Sequence, residues 1–247
     1  MTGDNQAMVQ PLLALGQEVP LRLFFGGIVA ESADLILSDP YAFCLAVCLD
    51  RGMKAEIVWT IPYWIKQDLG HLDPYRIHEM TGGQLAAVVA RLPKRPRYVN
   101  DAPRTISDIT DIVVEGCEGD AARIWTDRSA ADVREVFEYV HGVGTGIANM
   151  AVLLIERAYG VRFSDLDRRT MDIKPDVHTM RVLARMGAAP RATPSDAIAA
   201  ARRLHPSYPG EIDAGLWLVG RQWCTAQAAL CHGCPLEGPC PRVQALG

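Results

Sequence analysis

Four cysteines stand close together near the C-terminus, Cys224, Cys231, Cys234 and Cys240, spaced C-x6-C-x2-C-x5-C. Four thiolates from one short loop make a cage for a metal group. An internal Cys-x-x-Cys chelate with wide outer gaps suits a loop wrapped around a cube of iron and sulfide, a [4Fe-4S] cluster. Structural zinc is the main competitor, since all-thiolate tetrahedral sites are common. Zinc ribbons, however, usually supply two Cys-x-x-Cys knuckles, and this chain has one. A disulfide pair is the plainest alternative. The iron–sulfur reading is the one the spacing favours.

The rest of the composition is that of an ordinary globular protein, with 49% hydrophobic and 22% charged residues over 247 positions. No run approaches the roughly 18 unbroken apolar residues of a membrane span. The segment MTGDNQAMVQPLLALGQ has an acid and no basic n-region, so a secretory leader is not expected there. A reducing cytoplasmic compartment is the expectation, and it favours metal-ligating thiolates over disulfides. Cys44, Cys48 and Cys117 read as small core residues. A net charge of −4 argues against a nonspecific nucleic-acid coat. Local excess is another matter. Arg168, Arg169, Lys174, Arg181, Arg185 and Arg191 face only Asp172 and Asp176. A second run holds Arg91, Lys94, Arg95, Arg97 and Arg104. Such runs can track a phosphate backbone, although a solvated helix face is the plainer reading of the second.

Helix follows helix along the chain, and the fold class expected is all-α. Residues 41–59 read as an apolar helix interrupted near Gly52. Segments 84–92 and 106–116 follow with helical spacing. In 131–140, Val133, Val136, Phe137 and Val140 recur at i, i+3, i+4 and i+7. A glycine-rich turn leads into IANMAVLLIERAYG, with Gly160 as the C-cap. Further helices are expected from Pro175-Asp176 through Arg185, over SDAIAAARRL and over DAGLWLVGRQW.

Two motifs carry chemistry. Residues 131–158 read as helix, then His141-Gly142-Val143-Gly144-Thr145-Gly146, then helix. Gly142 and Gly144 allow positive φ and leave the amides of the second helix bare, ready for a phosphate oxygen. An ordinary turn between helices also uses glycine, so the motif alone is weak. Some thirty residues on, Asp176 opens a helix. An acid there is an N-cap, and it can also be a carboxylate at the mouth of a cleft. His178 reads as structural.

In order and spacing these elements resemble the endonuclease III branch of the helix-hairpin-helix DNA glycosylases. Val140-His141-Gly142-Val143-Gly144-Thr145-Gly146-Ile147-Ala148-Asn149 is similar to that family's L-P-G-V-G-x-x-x-A-N. Pro175-Asp176-Val177-His178-Thr179-Met180-Arg181-Val182 is similar to its V-D-T-H-x-x-R-V. Gly220-Arg221-Gln222-Trp223-Cys224 and the cysteine spacing resemble its cluster loop. The resemblance spans roughly residues 35–243, and it implies two lobes. A helical barrel domain would cover 35–158 and end in the hairpin, 131–158. An iron–sulfur cluster domain would be built from 1–34 and 159–247. It further implies a nucleoid-associated monomer that acts on double-stranded DNA containing a modified or mismatched base. Such an enzyme flips the base from the stack and hydrolyses its N-glycosidic bond, with Asp176 catalytic. Gly142, Gly144, Thr145, Gly146, Arg51 and Arg181 become the expected DNA contacts, and the four cysteines the metal ligands.

The chain departs from the family twice. Bifunctional members carry a lysine two residues after the second hairpin glycine, and it forms a Schiff base with the sugar. Here that position is Gly146, so water is the expected nucleophile. Lys174 remains an alternative amine, and a non-catalytic DNA-structure binder a further alternative. The family's inserted glutamine has Gly52 near its place, leaving Arg51 or Met53 as wedge candidates.

Overall fold

In the computed structural model, residues 6–18, 21–25 and 28–241 are described. They form a succession of helices. Among them no named strand occurs, and the sole extended pairing is an isolated antiparallel bridge between Cys224 and Ala229. In chain order the helices are α1 Val9–Glu18, α2 Leu21–Phe24, α3 Glu31–Ser38, α4 Pro40–Leu49, α5 Ala55–Val58, α6 Ile61–Leu69 and α7 Pro74–His78. They continue as α8 Gly82–Arg91, α9 Ala102–Asp111, α10 Ala130–Tyr139, α11 Thr145–Tyr159, α12 Val177–Arg185, α13 Pro194–Leu204 and α14 Asp213–Gln222. The expected helix over 106–116 divides, its last turn widening into a π segment at Ile112–Gly116.

The chain separates into two compact units, Leu21–Leu166 and Met1–Pro20 with Asp167–Gly247. The sequence placed these joints at 34/35 and 158/159. Residues 159–166 stay with the first unit for a local reason. The Tyr159 hydroxyl donates to the Ile36 carbonyl (2.7 Å), Glu156 accepts from the Phe163 amide (3.0 Å), and Asp165 accepts from Ala130 N at the start of α10 (3.0 Å). Phe25 likewise joins that unit's aromatic core, 4.8 Å from Trp59. Residues 1–5 and 242–247, the ends of the expected cluster domain, lie outside the described residues.

The first unit is built around α4. Its sequence, PYAFCLAVCL, is apolar on every side, so it suits only the centre of a bundle. Tyr41 through Leu49 are all buried, Cys44 and Cys48 included. Asp39 starts the helix by accepting from the amides of Tyr41 (2.9 Å) and Ala42 (3.3 Å) ahead of the proline at its first position. α3, α6, α9 and α11 surround it. Phe43 sits among Trp59, Trp125 and Tyr159 with ring centroids 5.3–6.0 Å apart. α3 and α4 together have the composition of a bent membrane pair. The burial of α4 inside this bundle accounts for it, and no single described helix is long and apolar enough to cross a membrane.

In the second unit α14 packs against α1 and α12, and α12 against α13. Leu12, Val182, Leu183, Ile212, Leu216 and Val219 fill the space between them. The helices approach so closely that a Cβ at Gly220 would stand 2.8 Å from the Cβ of His178. That contact fixes the start of α12 against the last turn of α14.

Candidate functional site

The hairpin is assembled from its cap outward. Ser129 and Asp132 close a capping box at the head of α10, with Asp132 N donating to Ser129 Oγ (3.0 Å) and Ser129 N to Asp132 Oδ2 (3.3 Å). The chain then turns, Val143 N donating to the Val140 carbonyl (3.0 Å), and Gly142 takes φ +80°. A side chain is excluded here twice over. The left-handed conformation disfavours one, and a Cβ would overlap the guanidinium of Arg51. Arg51 is held in that place by Thr105 Oγ1, which accepts from its Nη2 (2.8 Å), and by the Tyr98 ring, 5.3 Å from its Cζ. Thr105 passes the support on by donating to the His141 carbonyl (3.0 Å), while Asp108 accepts from His141 N (2.8 Å). Arg51 is therefore half-buried packing behind the turn. Met53 is half-buried as well.

Gly144 is the N-cap of the 15-residue α11 and offers no capping side chain. Gly144, Thr145 and Gly146 are exposed, and a Cβ at 144 or 146 would meet nothing within 4 Å. The first amides of α11 thus face outward at the positive end of its dipole. That arrangement receives an anionic oxygen without a positively charged side chain.

In the other unit Asp176 caps α12. Its Oδ1 accepts from the amides of His178 and Thr179, both at 2.8 Å, and its own amide donates to Thr179 Oγ1 (3.0 Å). Asp176 is half-buried, and the neighbouring Val177 is 63% exposed. The two bonds to Oδ1 orient the carboxylate at the head of α12.

Arg181, expected at DNA, is turned inward instead. Its Nε donates to the Cys224 carbonyl (2.8 Å), and its Nη2 to the Gly220 carbonyl (2.7 Å) beside His178 Nδ1. Arg185 donates to the Ala226 and Thr225 carbonyls and stands 3.7 Å from Cys224 Sγ. Two arginines of α12 thereby hold the start of the cysteine loop. The same accounting applies to much of the basic run expected to track phosphate. Arg169 pairs with Asp167 and Arg191 with Asp196, and of the second run Arg91 pairs with Asp68. Each of these carboxylates lies outside the stretch over which the basic run was counted.

Cys224, Cys231, Cys234 and Cys240 are all half-buried. Burial pushes the Cys234 thiol up, the Leu236 amide pulls it down, and the other three cysteines raise it again. Cys224, Cys234 and Cys240 pack against the unit's core. Among the described residues no three His, Cys, Asp or Glu side chains are grouped as a site for a single metal ion.

Asp213 escaped sequence analysis. It opens α14, and its Oδ1 is shielded from solvent with no hydrogen-bond partner. The Lys174 amide donates to its carboxyl group, which burial first and Asp176 second push up to about 8. Nothing in the residue spacing marks it, since an acid at a helix start is ordinarily a solvated cap.

No family model matches this sequence, and no curated protein matches it. Solved structures do. A non-covalent endonuclease III–DNA complex is similar at 17% identity and TM-score 0.65, covering 98% of this chain and 97% of that one. A thermostable thymine-DNA glycosylase is similar at 16% identity and TM-score 0.60, over 97% and 96%. A trapped endonuclease III–DNA covalent intermediate is similar at 18% identity and TM-score 0.57, over 92% and 96%. Over nearly its full length this chain therefore has the all-α fold of those endonuclease III structures.

Proposed function

We propose that this protein is a DNA glycosylase of base excision repair that hydrolyses the N-glycosidic bond of a damaged or mispaired base, with water as the nucleophile. The observation that carries the reading is Asp176, a half-buried carboxylate anchored through Oδ1 at the head of α12, on a fold similar to that of endonuclease III. The amides of Gly144, Thr145 and Gly146 hold a backbone phosphate, which positions the duplex without reading its sequence. The target base leaves the stack, because its glycosidic bond is unreachable while paired. As that bond breaks, its electron pair departs with the base and positive charge develops on the sugar. The fixed anion of Asp176 stabilises that charge, and Oδ2 accepts the proton of the water that attacks the anomeric carbon. Gly146 supplies no amine, so the product is an intact abasic site.

The cysteines support a [4Fe-4S] group. The Cys234 thiol feels the other three cysteines and accepts from the Leu236 amide, and the Arg185 guanidinium stands 3.7 Å from Cys224 Sγ. Cys224, Cys231, Cys234 and Cys240 would hold the cluster, which would order the loop and supply no chemistry to base release.

Base release from a panel of damaged and mismatched duplexes, read by mass spectrometry, tests the proposal. Wild-type protein is expected to free at least one base, and Asp176→Asn to lose about 100-fold or more of that rate while still binding DNA. Silence across the panel, or an active Asp176→Asn, overturns it. Borohydride is expected to trap no adduct on abasic DNA. A trapped adduct lost in Lys174→Ala would assign a lyase instead.

A further inference from the structure

The acid that opens α14 is half-buried, with its Oδ1 shielded from solvent and without a hydrogen-bond partner. Burying a carboxyl group with an unpartnered oxygen is costly unless the group stays neutral. Its surroundings decide which of two neighbouring acids does so. Asp176 has two amides on one oxygen and sits on the axis of α12, where negative charge is favoured. Asp213 has the single Lys174 amide, and its Oδ1 is shielded and alone. The two groups meet across the turn 174–176, in which Asp176 N also donates to the Lys174 carbonyl (2.8 Å).

We propose that Asp213 is a positioning residue for Asp176: its carboxyl group holds the Lys174–Asp176 turn by the Lys174 amide and so sets where the Asp176 carboxylate stands. The proposal rests on the reading of Asp176 as the catalytic carboxylate. The charged groups facing Asp213 are Asp176 and Lys174. Glu211, on the turn before it, pairs with His205 (2.8 Å). α1, packed on the same helix, has Glu18 as its one charged side chain. Ionising Asp213 sets a second anion beside the first in a shielded place, and the two repel. The turn between them is the part that yields, and the carboxylate it aims moves with it. Base release then falls as pH rises through the titration of Asp213.

Titration of the full-length protein by NMR tests this without reference to catalysis. The Lys174 amide resonance reports ionisation of the group it is bonded to, and it is expected to move with a midpoint near 8 in the wild type. In Asp176→Asn that midpoint is expected about one pH unit lower, because a like charge has been removed. A Lys174 amide that titrates below pH 5, or a midpoint unmoved by Asp176→Asn, overturns the pair. In base-release assays the wild type is expected to lose about tenfold in rate between pH 7 and 9. Asp213→Asn, which keeps an acceptor for Lys174, is expected to abolish that fall. An alkaline limb that persists in a folded Asp213→Asn also overturns the proposal. Should no base be released at all, the glycosylase reading fails while the titration still decides the pair.

Discussion

Asp176 does two things that substitution can separate. As a cap it satisfies two amides at the head of α12, a service asparagine performs nearly as well as aspartate. Asp176→Asn is therefore expected to melt within about 0.5 kcal/mol of the wild type, and Asp176→Ala to lose about 1 kcal/mol. Both are expected to lose base release, and thermal unfolding beside the activity assay distinguishes cap from catalyst. Asp213 makes the opposite demand. Its folded-state value is raised from 3.8 to about 8, so between these limits the native chain binds a proton that the unfolded chain releases. Stability is then fully present below about pH 4 and declines, by up to about 1.4 kcal/mol per pH unit, as pH climbs toward 8. Asp213→Asn removes this penalty. It is expected to unfold at higher temperature than the wild type at pH 8, with the advantage shrinking toward pH 4.

At the scale of elements, the hairpin depends on what lies behind it. Gly142→Ala places a methyl group on Arg51 in a left-handed residue. A loss of about 1–3 kcal/mol is expected, with weaker DNA binding by fluorescence anisotropy as the turn shifts. Gly146 is the contrasting case, open around its Cβ in ordinary helical backbone. Gly146→Lys is expected to fold at undiminished stability and to give a borohydride-trapped adduct with abasic DNA, which the wild type does not. Much of this level was legible beforehand. The helices at 82–91, 130–139, 145–159 and 194–204 follow from apolar spacing and caps, because each buries one stripe. The position of Arg51 was not legible, since it depends on α9 and Tyr98, which are distant in sequence and meet the turn only after folding. The carbonyl partners of Arg181 were not legible for a related reason. Charge counting assigns a guanidinium to solvent or phosphate, whereas here free carbonyls at the end of α14 claim it.

For the whole molecule, order along the chain was the reliable guide and burial was not. A hairpin, a capped acid and a four-cysteine loop in that succession pointed to one fold, and the full-length likeness to endonuclease III bears it out. Asp213 stayed invisible because its significance arises from desolvation and from a neighbour 37 positions away. The cysteine loop offers a prediction at this scale. Purified protein is expected to be brown with broad visible absorption, and Cys234→Ser to be colourless and to unfold at lower temperature. A colourless wild type containing zinc would replace the iron reading.

The nine residues of α12 run about 13 Å, with Asp176 at one end and the two arginine anchors of the cysteine loop along the flank. On the proposed reading, oxidation of those sulfurs would be felt as a tilt of the rod that carries Asp176, and base release would slow with it.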